Sequence, residues 1–324
     1  MKKLYRLYAL DCIEGAKKYI QDNTVDLIIT DPPYGIEANR LHQHYHRDEE
    51  HVIEGYVEIP VDQYAHFSRQ WIREAERVLR PGGSMYIISG YSNLRDILNA
   101  LYETSLTEIN HLIWKYNFGV HTRKKYISSH YHILYYTKPG GTVTFNTHAR
   151  FGPGEKDARN GSLNYQDRQD VWVINREYKP GEIKNKNELP TELISKIMQY
   201  SSKENDLVVD FFMGGFNTAK IAIGLNRRVI GFEINHHSYQ HHINEIQLLK
   251  PGYLLATLRR GENQQPQNQR KRWTDEERHY LIKRYKDIYT KLKHKRQTIR
   301  ILESEFGRGY FSILNQIERM NKGN

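Results

Sequence analysis

The sequence predicts an α/β fold, an open and mostly parallel sheet with helices on both faces, followed by a small three-helix domain. Short β-branched apolar runs alternate with amphipathic stretches over most of the chain, which is typical of repeated βαβ units. A polar stretch at 261–272 then separates this body from a basic segment with helical periodicity. A length of 324 residues suffices for a large α/β domain and a smaller helical one.

The apolar runs predict strands, and the amphipathic stretches between them predict helices. The predicted strands are 25–30, 85–89, 109–116, 132–137, 171–174, 207–211 and 229–234. The predicted helices are 62–80, 191–200, 217–225 and one that starts at about His237. Residues 139–186 are rich in Gly, Asn and Arg and carry little periodicity, so they predict an inserted loop region.

Composition excludes several classes of protein. The single cysteine, Cys12, rules out a disulfide framework and a multi-cysteine metal site, and indicates a reducing compartment. The N-terminal residues lack the apolar core of a signal peptide, and no apolar run reaches the length of a membrane helix. We therefore expect a cytoplasmic protein with no membrane partner.

The positive charge is concentrated at the C-terminal end. Residues 258–324 contain 17 Lys and Arg against eight Asp and Glu, so they carry +9 of the chain's net +10. Clustered cations gain free energy when they release counterions from phosphates, so this segment predicts a polyanionic partner. A solvated basic helical tail without a ligand is the alternative.

A first chemical motif follows the predicted strand 25–30. It consists of Asp31, Pro32, Pro33 and Tyr34, and in a parallel sheet such a loop faces the ligand crevice. The prolines have no amide donor, so the local carbonyls are left as acceptors. A carboxylate and a carbonyl can hold both hydrogens of an exocyclic amine while the tyrosine ring stacks on the heterocycle. The alternative is a Pro-Pro turn without function.

A second motif follows the predicted strand 207–211. Its turn contains Asp210, Phe212 and Gly214, and the next strand ends in Glu233. Glycines allow a ligand to approach the backbone closely, and an acidic residue at this spacing can accept both ribose hydroxyls. A Walker-type lysine does not follow the glycines, which argues against a triphosphate site. The two motifs together predict a nucleoside-bearing cofactor beside an amine-binding pocket.

The segments TDPPYG, DFFMGG and GFE, in this order, resemble the AdoMet-dependent amino-methyltransferases of DNA, which methylate adenine N6 or cytosine N4. The order is that of their beta class, a circularly permuted form of the Rossmann-like methyltransferase sheet, and the resemblance covers about residues 5–249. It implies S-adenosyl-L-methionine as the cofactor and a base flipped out of double-stranded DNA as the substrate. It implies a catalytic loop of Asp31, Pro32, Pro33 and Tyr34. It also implies that the cofactor is bound by Asp11, Cys12, Asp31, Asp210, Phe212, Gly214 and Glu233.

The sequence departs from the family pattern at two places. Phe216 stands where the family usually has a second glycine, which predicts a bulkier cofactor loop, and residues 187–190 lack the usual lysine. The DPPY form favours adenine N6, with cytosine N4 as the alternative. A catalytically inactive DNA-binding protein is a second alternative, because of Phe216. Methylation of a protein glutamine disagrees with Asp31 and with the motif order.

The expected domains are a methyltransferase domain at 1–257, a linker at 258–272 and a helical module at 273–324. The module resembles a Myb-like or helix-turn-helix DNA-binding domain, and Thr274 with Glu277 predicts a capping box for its first helix. Its predicted apolar faces are Ile299, Leu302 and Phe306, then, after a turn at Gly307, Phe311, Leu314 and Ile317. A dimerisation or packing appendage is the alternative for this module.

Basic and polar side chains outside the two motifs are candidates for DNA contacts. Residues 139–186 are the candidate target-recognition region. The candidate contacts are Arg123, Lys124, Lys125, Arg150, Arg159, Arg308, Tyr310 and Asn315. The histidine-rich stretches lack the spacing of a metal site, so no metal is expected. A cognate restriction endonuclease and a homodimer are the further partners that the family resemblance suggests. The resemblance also implies a protein that is encoded by a prokaryote or a phage and associated with the nucleoid.

Overall fold

The computed structural model describes residues 4–33, 59–117, 119, 121, 123–124, 126–177, 188–259, 261 and 271–322. The chain divides into two compact units, Met1–Gly261 and Glu262–Asn324. Leu258 packs against the core of the first unit, and the amide of Gly261 donates to the carbonyl of Ala149 at 3.0 Å. The first unit therefore extends to Gly261, and the predicted start of the linker at 258 is corrected.

The first unit is built on a mixed eight-stranded sheet. The strands are β1 (Tyr5–Tyr8), β2 (Val25–Thr30), β3 (Leu79–Ser89), β4 (Thr107–Lys115), β5 (His130–Thr137), β6 (Val171–Val173), β7 (Leu207–Asp210) and β8 (Arg228–Phe232). Their order across the sheet is β1-β8-β7-β2-β3-β5-β4-β6. Strand β5 is antiparallel to β3 and β4, and every other neighbouring pair is parallel. The predicted mostly parallel sheet is thus confirmed.

Helices cover both faces of this sheet, as predicted. The helices in the described part of the first unit are α1 (Cys12–Tyr19), α2 (Val61–Val78), α3 (Tyr91–Tyr102), α4 (Leu163–Asp167), α5 (Thr191–Ser201), α6 (Asn217–Gly224) and α7 (His236–Leu248). Helices α1, α2 and α3 contribute to one apolar core, and α5, α6 and α7 contribute to the other. In α2, for example, Trp71, Ile72 and Ala75 recur at helical spacing and are fully buried, so the amphipathic pattern determines which face packs on the sheet.

The strand directions determine which loops share an edge of the sheet. We call the edge at which the parallel strands end the carboxyl edge. Because β5 is antiparallel to β3, with His132 paired to Ser89, the loop between β4 and β5 lies at the carboxyl edge. The end of β5 lies at the opposite edge, where Asn146 donates to the carbonyls of Gln199 and Ser202 at the end of α5. The irregular segment after β5 therefore begins at the edge remote from the Asp31 loop.

Over residues 271–322, the second unit contains three helices with their own apolar core. They are α8 (Asp275–Leu292), α9 (Lys295–Phe306) and α10 (Tyr310–Lys322). The predicted capping box of Thr274 and Glu277 is present, and the turn residue Gly307 has a φ of 57°. The predicted apolar face of the last helix is confirmed at Leu314 and Ile317, which pack in the core, but it is wrong at Phe311, which is 74% exposed, and Ile313 is buried instead.

Within the described ranges, no helix combines the length and the apolarity that a bilayer span requires.

Candidate active site

Four acidic residues stand in a row along the carboxyl edge. Asp11, Glu233, Asp210 and Asp31 lie at or just after the ends of β1, β8, β7 and β2, which are consecutive neighbours in the sheet. Adjacent strands are about 4.8 Å apart, so the row spans roughly 15 Å. Strand order therefore brings together carboxylates that are far apart in sequence.

A buried hydrogen bond joins the two motifs predicted from the sequence. Thr30, the last residue of β2, donates its hydroxyl to Oδ1 of Asp210 at 3.1 Å, and the amide of Phe212 donates to the same oxygen at 3.0 Å. Burial raises the pKa of Asp210 to about 6, although bonds from Thr218, Phe212 and Thr30 oppose the shift. The loop that carries Asp31 is thus fixed to the strand that carries Asp210.

The turn at residues 211–216, between β7 and α6, is called the glycine turn below. Glu233 holds this turn against the neighbouring strand. Its two carboxylate oxygens accept hydrogen bonds from the amides of Gly214 at 2.9 Å and Asn235 at 2.8 Å. Burial raises the pKa of Glu233, and these two amides oppose that shift. Each oxygen retains a second lone pair, so the side chain can still accept from the hydroxyls of a ligand.

Gly215 and Phe216 shape the glycine turn in different ways. A Cβ atom on Gly215 would lie 2.1 Å from Oε1 of Glu188, so a larger residue at that position would displace the Glu188 side chain. Phe216 adopts a left-handed conformation, with a φ of 61°, and its ring is buried against Tyr239 and His242. The expectation that Phe216 makes the cofactor loop bulkier is therefore wrong, because its side chain enters the core.

Asp11 and Cys12 occupy the adenine end of the row that the family resemblance implies. Oδ1 of Asp11 caps α1 by accepting from the amides of Ile13 and Glu14 at 2.9 and 3.0 Å. The thiol of Cys12 is buried in the core, and burial, followed by the charge of Asp11, raises its pKa. Only the backbone of Cys12 is thus left for a contact with a ligand, and its side chain serves packing.

The structure describes three of the four residues of the predicted catalytic loop. Asp31 and Pro33 are half-buried and Pro32 is buried, directly after β2. Tyr34 lies outside the described residues. Phe212, which the resemblance places beside the cofactor, packs its ring against Trp71 and Phe67 of α2, with centroid distances of 5.4 and 5.8 Å.

The predicted DNA contacts of the first unit differ in their positions. Arg123 and Lys124 are exposed in the loop between β4 and β5, at the carboxyl edge, whereas Lys125 lies outside the described residues. Arg159 is exposed and belongs to the irregular segment between β5 and β6. Arg150 is only 8% exposed. It pairs with Asp167 and Glu192 at 3.1 and 3.3 Å, so the structure gives it an internal role instead of the predicted DNA contact.

Arg308 in the second unit also requires a correction. It is 3% exposed, and its guanidinium donates to both oxygens of Glu277 and to the carbonyls of Lys271 and Arg272. Arg308 therefore stabilises the start of α8 instead of presenting its charge to DNA. Tyr310 is half-buried and Asn315 is exposed, and both stay candidates.

The charge around the glycine turn suits a cationic ligand. Asp210, Glu233 and Glu188 approach this turn, and Leu189, at the position of the family's usual lysine, is a buried apolar residue. Sequence reasoning missed Thr30, Thr218 and Glu188, because their roles depend on contacts in the folded chain.

His241, His242 and Glu245 lie close enough together to hold a metal ion. The ammonium of Lys220 already pairs with Glu245 at 2.6 Å.

A family model described as DNA methylase, which covers N6 and N4 amino-methyltransferases, matches residues 25–245. The chain belongs to this N6/N4 DNA methylase family. The methylase is 29% identical to the type II methyltransferase M.HpaI of Haemophilus parainfluenzae, over 71% of this chain and 70% of that protein. It is 30% identical to the DNA adenine methyltransferase YhdJ of Escherichia coli strain K12, over 69% of this chain and 76% of that protein.

Solved structures share the fold of the methylase. The complex of M1.HpyAVI with SAM aligns with a TM-score of 0.52 at 20% identity. The alignment covers 76% of this chain and 100% of the M1.HpyAVI chain. The cytosine-N4-specific PvuII DNA methyltransferase aligns with a TM-score of 0.55 at 14% identity, over 76% of this chain and 86% of that one. Methylases of this family take their methyl group from S-adenosyl-L-methionine, whose cationic sulfonium and ammonium groups fit the acidic row.

Proposed function

We propose that this methylase transfers a methyl group to the exocyclic N6 of an adenine flipped out of double-stranded DNA. The observation that carries the proposal is the order of the acidic row. Asp11, Glu233, Asp210 and Asp31 follow one another along the edge. The family resemblance assigns them, in this order, to the adenine, the ribose, the methionine and the target amine. A cofactor bound along this row would direct its methyl group toward the Asp31 loop.

The residues of the chain would divide the work as follows. Glu233 would accept the ribose hydroxyls and Asp210 would face the cationic methionine end, while the glycine turn lets the backbone approach. S-adenosyl-L-methionine, when bound, supplies an electrophilic methyl group. Asp31 and a carbonyl of the Pro-Pro segment would hold the hydrogens of the amine, which directs the nitrogen lone pair at that methyl. Asp31 is then the nearest acceptor for the proton that the methylated nitrogen loses.

Cytosine N4 is the second candidate substrate. Its exocyclic amine presents the same two hydrogens to a carboxylate and a carbonyl, and the family model covers both chemistries. The DPPY sequence and the resemblance to an adenine methyltransferase support adenine.

A test is to methylate random-sequence DNA with labelled S-adenosyl-L-methionine and to identify the product nucleoside by mass spectrometry. We expect N6-methyl-2′-deoxyadenosine, and N4-methyl-2′-deoxycytidine would overturn the choice of base. Absence of any transfer would overturn the enzymatic proposal. Asp31→Ala should abolish transfer but keep DNA binding, because its carboxylate acts on the amine. Asp22→Ala is the matched control, since Asp22 is exposed at the other end of β2.

We further propose that the second unit binds DNA through the exposed side of α10, where Asn315 lies and Tyr310 is half-exposed. The +9 charge of residues 258–324 supports this proposal. A cognate restriction endonuclease and a homodimer remain predictions from the family resemblance.

A further inference from the structure

Arg176 lies at the carboxyl edge although no sequence motif includes it. Strand β6 is parallel to β4, with Val173 paired to Lys115, so the chain leaves β6 at the same edge as the Asp31 loop. Three strand spacings separate β4 from β2, which corresponds to about 14 Å. The segment 174–177, which belongs to the predicted target-recognition region, thus lies at this edge.

The guanidinium of Arg176 is held by three aromatic rings. Its central carbon lies 4.6 Å from the ring centroid of Tyr116, 5.6 Å from that of Tyr131 and 5.9 Å from that of Trp114. The three rings contact one another, with centroid distances of 5.4 to 5.6 Å. All three distances to the guanidinium fall within the range of a cation–π interaction, so the rings form an aromatic cage.

The backbone on each side of Arg176 is fixed. Before it, the amide of Ile174 donates to the carbonyl of Lys115 at 3.0 Å, and the indole of Trp114 donates to the carbonyl of Ile174 at 2.8 Å. After it, the carboxylate of Glu177 accepts from the amide and the hydroxyl of Thr191 at 2.7 and 3.1 Å. The cation is therefore positioned before any ligand arrives, which lowers the entropy cost of binding.

The cage positions the charge of Arg176 without neutralising it. Arg150 and Arg308 each pair with carboxylates, whereas aromatic rings carry no net charge. Among the described residues no acidic side chain pairs with Arg176, and its buried Nε atom has no hydrogen-bond partner there. A half-exposed guanidinium of this kind is suited to an anion with several acceptor oxygens.

We propose that Arg176 binds a backbone phosphate of the DNA substrate close to the target base. The inference rests on the proposed function, since it needs DNA at the carboxyl edge. The distance of about 14 Å between β4 and β2 corresponds to roughly four base-pair steps along the duplex, at a rise of about 3.4 Å per base pair. Such a contact fixes the register of the DNA and carries no sequence information of its own.

The test compares Arg176→Gln with Arg228→Gln in the full chain. Arg228 is an exposed arginine at the start of β8, at the opposite edge of the sheet, so it matches the loss of charge. For R176Q we expect the Kd for duplex DNA to rise roughly tenfold or more. The slope of log K against log salt should fall by about 0.9, as expected when one phosphate is no longer neutralised. R228Q should change neither quantity, and the Kd for S-adenosyl-L-methionine should stay unchanged in both variants.

A third variant separates the phosphate contact from a structural role. Arg176→Lys keeps the charge but loses the planar fork, so it should restore the salt slope while Kd recovers only in part. If R176Q and R228Q give the same DNA Kd and salt slope while the unsubstituted chain methylates DNA, the inference is overturned and the proposed function stands. If the unsubstituted chain neither binds nor methylates DNA, the proposed function itself fails.

Discussion

At the residue scale, the carboxyl group of Asp210 has no cationic partner among the described residues. Its Oδ1 accepts from the hydroxyl of Thr30 and the amide of Phe212, and Thr218 also bonds to the carboxylate, yet burial still raises the pKa of Asp210 to about 6. A charge in this position costs stability when no ligand is bound. It also gives the site a negative group that can attract the cationic end of S-adenosyl-L-methionine.

We expect the affinity for S-adenosyl-L-methionine to fall as the pH drops below about 6, because protonated Asp210 loses its attraction for the cofactor. Asp210→Asn should bind the cofactor weakly at every pH. Binding titrations between about pH 5 and 8 measure this dependence. A profile that is flat in the unsubstituted chain would contradict it.

The raised pKa of Asp210 also predicts how the free energy of unfolding depends on pH when no cofactor is bound. The folded pKa of Asp210 lies above the ordinary value of 3.8, so the folded state binds more protons between pH 4 and 6 and becomes less stable as the pH rises through that window. Asp210→Asn should therefore increase the free energy of unfolding at pH 7 by about 1–3 kcal/mol. The gain should shrink toward pH 4. Urea unfolding at both pH values measures the difference.

Phe216 allows a test of backbone strain. Both Phe216→Gly and Phe216→Ala lose a buried ring, at a cost of about 3–5 kcal/mol. Because the φ of 61° disfavours any Cβ, the glycine variant should be about 1 kcal/mol more stable than the alanine variant. Urea unfolding of both variants measures the order. Phe211 is the control, because it is buried but has no positive φ. There, Phe211→Gly should be less stable than Phe211→Ala.

At the element scale, the sequence predicts individual strands well and their neighbours poorly. Strand β2 occupies the predicted residues 25–30, because a continuous β-branched run has few other stable solutions. Strand β1 and helix α1 were not predicted, since four and eight residues give too little periodicity. The motif residues Asp31, Asp210 and Glu233 were found from local spacing. The cage of Arg176 was not, because β4, β5 and the end of β6 supply its parts.

Helix α5 is connected to the irregular segment before β6 by a buried charged group. Lys196 is 5% exposed, its ammonium lies 3.4 Å from Asp167 and 4.3 Å from the ring centroid of Trp172, and Tyr200 donates to the same carboxylate. Burial is the main cause that lowers the pKa of Lys196 to about 8, against the charge of Asp167. This group explains why a segment with little regular structure still packs on the fold.

Lys196→Met should remove a pH dependence of stability. The folded pKa of Lys196 is below the ordinary 10.5, so the unfolded chain binds more protons above pH 8 and stability rises with pH from 8 to 10. Unfolding in urea at pH 7, 8, 9 and 10 should show this rise in the unsubstituted chain and in Lys250→Met, an exposed control. In K196M the rise should be absent, while stability at pH 7 is kept because Arg150 still pairs with Asp167. The same rise in K196M would contradict the assignment.

At the scale of the whole molecule, chemistry and charge are divided between two units with separate cores. The first unit carries the acidic row, and residues 1–257 have a net charge of only +1. The second unit has its own core around Leu281, Ile299 and Ile313, and its exposed surface carries most of the excess charge. Long-range attraction to DNA should therefore depend on the second unit, whereas the rate of transfer should depend on the first.

Two sets of four lysines test this division in the full chain. Replacement of Lys283, Lys286, Lys291 and Lys293 by Gln removes four exposed charges from the second unit. Replacement of Lys17, Lys18, Lys203 and Lys250 removes four exposed charges from the first. The first set should weaken DNA binding and lower the salt slope by about 0.9 for each phosphate that is no longer neutralised, while kcat at saturating DNA is unchanged. The second set should leave the slope near its original value. Equal slopes for the two sets would instead mean that the basic unit is a solvated or packing appendage.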